Sequence, residues 1–177
     1  MKAIVIYKSK YGSTKAYADW IAQALSCSAV EAGKIKVDDL TKYDIIIYGG
    51  GLYAEVINGV SLITKNFDKL KDKRLIVFTT GITPLDCRDY YDRLVLQKNF
   101  KDSKMLEKIK VYNFLGKMKT KELSRVHKTA LKTLKKIMSV KENPSEMEKL
   151  LVELCDADGD FSDKSAIKDL VEYALSK

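Results

Sequence analysis

Near its amino terminus the chain runs Val5-Ile6-Tyr7-Lys8-Ser9-Lys10-Tyr11-Gly12-Ser13-Thr14, an apolar strand that breaks into a hydroxyl-rich loop with one glycine. A helix follows at once. Ala18, Ile21, Ala22 and Leu25 fall on one stripe, which predicts a helix over about Ser13 to Leu25. This strand–loop–helix order constrains the fold more than any other stretch. Free backbone N–H groups at the helix start point outward, and the helix dipole favours an anion there. Ser9, Ser13 and Thr14 add hydroxyl donors, and Gly12 lets the backbone curl closely around the group it holds. Ser9, Lys10, Tyr11, Gly12, Ser13 and Thr14 are therefore candidate ligands of a phosphate.

The kind of phosphate follows by exclusion. A nucleotide P-loop needs Gly, four residues, then Gly-Lys-Ser/Thr, and a dinucleotide fingerprint needs three glycines at the helix start. Neither is present. One glycine among hydroxyls suits a terminal phosphomonoester. Val5, Ile6, Tyr7, Ser9, Gly12, Thr14, Ala18 and Ile21 fill every specified position of a known pattern, and the segment resembles the FMN-phosphate loop of the flavodoxin family. The resemblance implies FMN as cofactor and electron transfer as function.

With 177 residues, 46% of them apolar, the chain can bury a full core, and residues 1–177 read as a single domain. Expected strands are Lys2–Tyr7, Ser28–Glu31, Tyr43–Tyr48, Arg74–Thr80 and Lys108–Phe114. Expected helices are Ser13–Leu25, Gly59–Phe67, Asp86–Leu96 and Ser165–Leu175. Continuous β-branched runs such as Ile45-Ile46-Ile47 suit strands covered on both faces. The alternation predicts an α/β, flavodoxin-like doubly wound sheet of five parallel strands, with helices on both faces and a basic helical insertion after the fifth strand. A ligand should then sit beyond the carboxyl ends of the strands.

After the third expected strand come Gly49, Gly50, Gly51, Leu52 and Tyr53, read as a loop. The resemblance implies that this loop packs on the flavin ring, with Tyr53 stacked on its face and a peptide at Gly50 or Gly51 free to turn. After the fourth come Thr79, Thr80 and Gly81, corresponding to the second ring-binding loop. Many flavodoxins carry another aromatic there. This chain has none nearer than Tyr90 or Tyr91, which leaves the outer face of the ring open to a partner or substrate.

Charge is the second distinguishing feature. Lys101–Lys141 holds 13 lysines and arginines against 3 acids, whereas flavodoxins are typically acidic. Within this stretch Leu123, Val126, Ala130, Leu134 and Ile137 repeat at helical spacing, which predicts a basic amphipathic helix over about 121–138. A second helix is expected with Asn143 as cap, Pro144 at its first position and Glu146 closing a capping box. The insertion, about 117–158, admits three readings: a solvated lysine face, a docking surface for an acidic partner, or peripheral attachment to an anionic membrane. No nucleic-acid module accompanies the lysines. The placement is similar to that in menaquinone-dependent protoporphyrinogen dehydrogenases. An FMN-dependent oxidoreductase of that kind, or a quinone reductase, is thus the alternative to an electron carrier, and the partner is a redox protein or a quinone.

No catalytic residue and no metal site is expected. Asp156, Asp158 and Asp160 have calcium-like spacing, but Phe161 and Ile167 stand where an EF-hand loop needs Gly and Glu. His127, the only histidine, reads as a surface residue, and Cys27, Cys87 and Cys155 as incidental thiols of a cytoplasmic chain.

Overall fold

The computed structural model describes residues 1–176. Its strands are β1 (Ala3–Lys8), β2 (Ser28–Glu31), β3 (Ile45–Tyr53), β4 (Val56–Ile57), β5 (Arg74–Gly81), β6 (Ile109–Leu115), β7 (Lys117–Met118) and β8 (Gly159–Asp160). The main sheet has the order β2-β1-β3-β5-β6, all parallel, with the short β4 antiparallel to β3. The chain moves outward from β1 to β2, then crosses back to place β3 on the other side of β1. That reversal opens a crevice at the carboxyl ends of β1 and β3.

Period-two alternation divides the core. Val5, Ile45, Ile47, Ile76 and Phe78 face one layer, built by α1 (Ser13–Ala24) and the C-terminal helix α4 (Lys168–Leu175). Ile4, Ile6, Ile46, Tyr48, Leu75 and Val77 face the other, packed by Leu40, Ile63, Phe67, Leu70 and Val95 from short helical turns. Burial on both faces explains why these strands read as uninterrupted apolar runs. Among the described residues no helix is long and apolar enough to cross a membrane.

Several elements differ from the sequence expectation. β3 does not end at Tyr48: Gly49–Gly51 continue it, pairing with Tyr7, Lys8 and the stretch Phe78–Thr80. A side chain cannot fit at the first two of these positions. A methyl at Gly49 would lie 2.1 Å from the Phe78 ring, and one at Gly50 would lie 2.6 Å from Ile57. The expected helix Gly59–Phe67 is instead two turns, Ser61–Thr64 and Phe67–Leu70, broken at Asn66. Asp86–Leu96 forms an open, π-type coil at Tyr90–Val95 before a last α-turn, Leu96–Asn99. A helix at Ser103–Lys108, capped by Asp102, was not foreseen.

The insertion leaves and rejoins the domain through the antiparallel pair β7–β8, with Lys117 opposite Asp160 and Met118 opposite Gly159. Between them lie α2 (Arg125–Ser139) and α3 (Glu146–Leu154). The basic helix therefore starts at Ser124, whose hydroxyl accepts from the His127 N–H, and Leu123 lies outside it. The cap of α3 is Ser145, not Asn143, and its box partner is Glu148, not Glu146. Lys141 pairs with Glu148 at 2.6 Å, and the same carboxylate accepts from the Ser145 N–H, which favours this box.

Gly49→Ala should lower stability by about 1–3 kcal/mol through overpacking against Phe78. Gly33→Ala, whose methyl would meet nothing within 4 Å, should shift it by less than about 0.5 kcal/mol. Urea unfolding of both variants provides the comparison, and equal losses would contradict the packing argument.

Candidate functional site

At the end of β1 the loop turns through Gly12, whose φ of +95° is left-handed. The Gly12 N–H donates to Ser9 Oγ at 3.1 Å, which closes the loop on itself. Among the described residues no side chain caps α1, so its first-turn N–H groups keep their outward donor capacity. Thr14, almost fully buried, shares a 2.8 Å hydrogen bond with Thr80 at the end of β5. The Lys117 N–H donates to Ser13 Oγ at 2.9 Å, and its ammonium lies over Gly12, 3.5 Å from where a methyl there would be. Hydroxyls, a helix start and a lysine thus converge on one small volume, a donor set suited to a phosphate dianion.

The second wall is the hairpin from β3 to β4. Ala54 and Glu55 turn it with φ of +47° and +61°, uncommon for side-chain-bearing residues but matched to the twist of a tight hairpin. Lys98 Nζ donates to the Ala54 carbonyl and to the Glu55 carboxylate, both at 2.9 Å. Asn99 donates to the Glu55 and Val95 carbonyls and accepts from the Ile57 N–H, so its buried amide is fully used. The turn is held from behind and keeps its front face for the crevice.

These walls enclose a cavity of about 590 Å³, lined by Tyr11, Ser13, Thr14, Gly51–Glu55, Thr80–Thr83, Tyr90 and Gly116–Met118. That volume is typical of a cofactor site. Its roof comes from the insertion: Leu123, His127, Ala130, Leu131 and Leu134, then Leu151, Leu154 and Cys155. The side expected to lie open is therefore covered by apolar side chains, and Tyr90 joins the wall although its partner Tyr91 turns inward to the Thr83 carbonyl.

Of the residues expected to bind the cofactor, Tyr11, Ser13, Thr14, Gly51, Leu52, Tyr53, Thr80 and Gly81 line the cavity. Ser9 and Gly12 form the loop behind them. Gly50 lies within β3, and Thr79 donates to Asn113 on β6, away from the cavity. Gly51 is also in β3, with its carbonyl accepting from the Asn58 N–H, and the chain reverses beyond it at Ala54–Glu55. Lys10 reaches outward to the insertion, where its ammonium donates to Ser124 Oγ at 3.3 Å.

His127 is not a free surface residue. Its Nδ1 lies 2.8 Å from the Tyr11 hydroxyl, which also accepts from the Ser124 N–H, and its Nε2 lies 3.5 Å from Lys10 Nζ. Its ring packs against Tyr53 at 4.9 Å. Burial, with a small contribution from Tyr11, pushes the Tyr53 hydroxyl up to about 12, so it stays a neutral donor. The sequence reading missed Lys117, although its place just after a strand could have flagged it. Cys155 and the leucines of the roof carried no local signal. The calcium-like aspartates serve locally: Asp156 pairs with Lys135, and Asp158 accepts from the Thr120 N–H.

The Flavodoxin domain family model matches residues 4–147. No curated protein sequence matches the chain. Similar solved structures include a flavodoxin from the domain Archaea, 17% identical with a TM-score of 0.48, covering 99% of this chain and 100% of that one. Another is oxidised Flavodoxin 1 from Bacillus cereus, 18% identical with a TM-score of 0.49, covering 69% of this chain and 89% of that one. Oxidised Flavodoxin 2 from Bacillus cereus is 14% identical with a TM-score of 0.46, covering 88% and 95%.

Burial and the neighbouring Lys10 ammonium hold the His127 imidazole below its ordinary pKa of 6.5. The folded ring is harder to charge than the unfolded one. Its contribution to stability is therefore present above pH 6.5 and declines as the pH falls below that value. In an NMR titration of this single histidine, Lys10→Met should raise the midpoint. An unmoved midpoint would mean that the ammonium does not act on the ring.

Proposed function

The chain belongs to the Flavodoxin domain family, and from that membership we propose that it is a redox protein that works through bound FMN. The observation carrying this reading is the convergence of an anion cradle and two ring-sized walls on one cavity beyond β1, β3 and β5. Ser9, Ser13 and Thr14, the amides of the loop and the Lys117 ammonium would hold the phosphate. Leu52–Glu55 and Thr80–Thr83 would flank the ring, with Tyr53 against it and the apolar roof excluding water. FMN supplies one- and two-electron transfer that no amino-acid side chain offers. The protein's part is orientation. The Thr14–Thr80 bond fixes the phosphate end relative to the ring end, and Lys98 and Asn99 fix the hairpin.

Two uses of such a site differ in what meets the ring. An electron carrier passes electrons to a docked redox protein across an exposed ring edge. The roof of Leu131, Leu134, Leu151 and Leu154 favours a small apolar oxidant or reductant inside the cavity. That observation supports the second reading, an FMN-dependent oxidoreductase such as a quinone reductase or a quinone-dependent protoporphyrinogen dehydrogenase. Steady-state turnover with a soluble quinone, absent in the carrier and present in the enzyme, separates the two.

The purified protein should show a flavin absorbance spectrum, release FMN on denaturation and rebind it with 1:1 stoichiometry. Ser9→Ala combined with Thr14→Ala, and separately Lys117→Met, should each weaken FMN binding by about tenfold or more, since each removes hydrogen bonds to a charged group. A colourless protein that ignores added FMN would overturn the reading.

A further inference from the structure

Helix α2 carries more apolar surface than the cavity uses. Its apolar positions form two adjoining flanks when placed at 3.6 residues per turn. His127, Leu131 and Leu134 turn into the cavity. Next to them Val126, Thr129, Ala130, Thr133 and Ile137 form an open groove along the outside of the helix, and Val140 stands at the helix C-cap. Val126 is 74% exposed, Ile137 55% and Val140 77%. Among the described residues nothing covers them.

The charge around this flank is uneven. Arg125, Lys132 and Lys136 follow its edge, all exposed and without an ion pair among the described residues. Several other cations of the insertion are engaged: Lys135 with Asp156, Lys141 with Glu148, and Lys128 with the Lys121 carbonyl. An unpaired cationic edge beside branched aliphatic side chains is the pattern of a helix lying in a charged interface. A second copy docked antiparallel across this flank would bring two such cationic edges together, and a soluble acidic partner held by charge would leave the aliphatic groups unused.

We propose that the outer flank of α2 docks on an anionic lipid surface. Val126, Ile137 and Val140 enter the acyl boundary, and Arg125, Lys132 and Lys136 lie among the headgroups. Ala130 and Leu134 line both the groove and the cavity, so apolar surface runs without a break from the docked flank into the site. This inference rests on the insertion alone and holds whatever occupies the cavity.

Co-sedimentation of the full chain with lipid vesicles tests it. The protein should partition onto vesicles of mixed phosphatidylglycerol and phosphatidylcholine, and not onto phosphatidylcholine alone. Lys132→Glu with Lys136→Glu should weaken partitioning roughly twentyfold or more, from the loss of about fivefold per cation. Val126→Ser with Ile137→Ser should weaken it about tenfold or more through lost apolar burial. All four side chains are exposed, so unchanged circular dichroism should accompany both double variants. No binding to anionic vesicles, or binding indifferent to either double variant, overturns the proposal. So does a dimer in sedimentation velocity that Val126→Ser with Ile137→Ser dissolves.

Discussion

Much of the site depends on a strand that overruns its sheet. With no side chains at Gly49 and Gly50, β3 passes between β1 and β5 at close range, against Phe78 on one face and Ile57 on the other. Backbone pairing therefore continues to Tyr53, and the hairpin at Ala54–Glu55 projects past the ends of its neighbours. Three glycines weaken a strand by their conformational freedom. The sheet offsets that loss, because Gly49 and Gly50 pair with both β1 and β5, and Gly51 pairs with β5. What the glycines secure is a rigid wall at the depth where the crevice needs one.

The insertion is bound to the same crevice from above. Tyr11, in the loop between β1 and α1, meets Ser124 and His127 at the first turn of α2, while Lys117 belongs at once to the root of the insertion and to the loop floor. A change in how the helical pair sits must therefore be felt at the loop between β1 and α1. The aromatic contacts among Tyr11, His127 and Tyr53 tie the cradle, the roof and the hairpin wall together in one cluster.

The legible and illegible parts of this protein divide by range. The α/β class, the hydroxyl-bearing loop between β1 and α1 and the presence of a basic helix after the last parallel strand were readable because each is written in local spacing: hydroxyls before a helical stripe, β-branched runs, lysines around leucines. Helix breaks at Asn66 and the open coil at Tyr90–Val95 were not, since tertiary packing decides them. Glycine freedom predicts a loop, whereas close packing against Phe78 makes those residues a strand. His127 illustrates the limit best. Nothing adjacent in sequence marks it, and its partners Lys10, Tyr11 and Tyr53 are more than seventy positions away.

The two-residue bridge between β7 and β8 brings the ends of the insertion side by side. The main sheet thus closes without help from the intervening forty or so residues, and a short turn could join Met118 to Gly159 at little cost in loop entropy. Such an arrangement makes the roof an interchangeable module. Changes confined to it can alter what the cavity admits while the doubly wound scaffold beneath stays as it is.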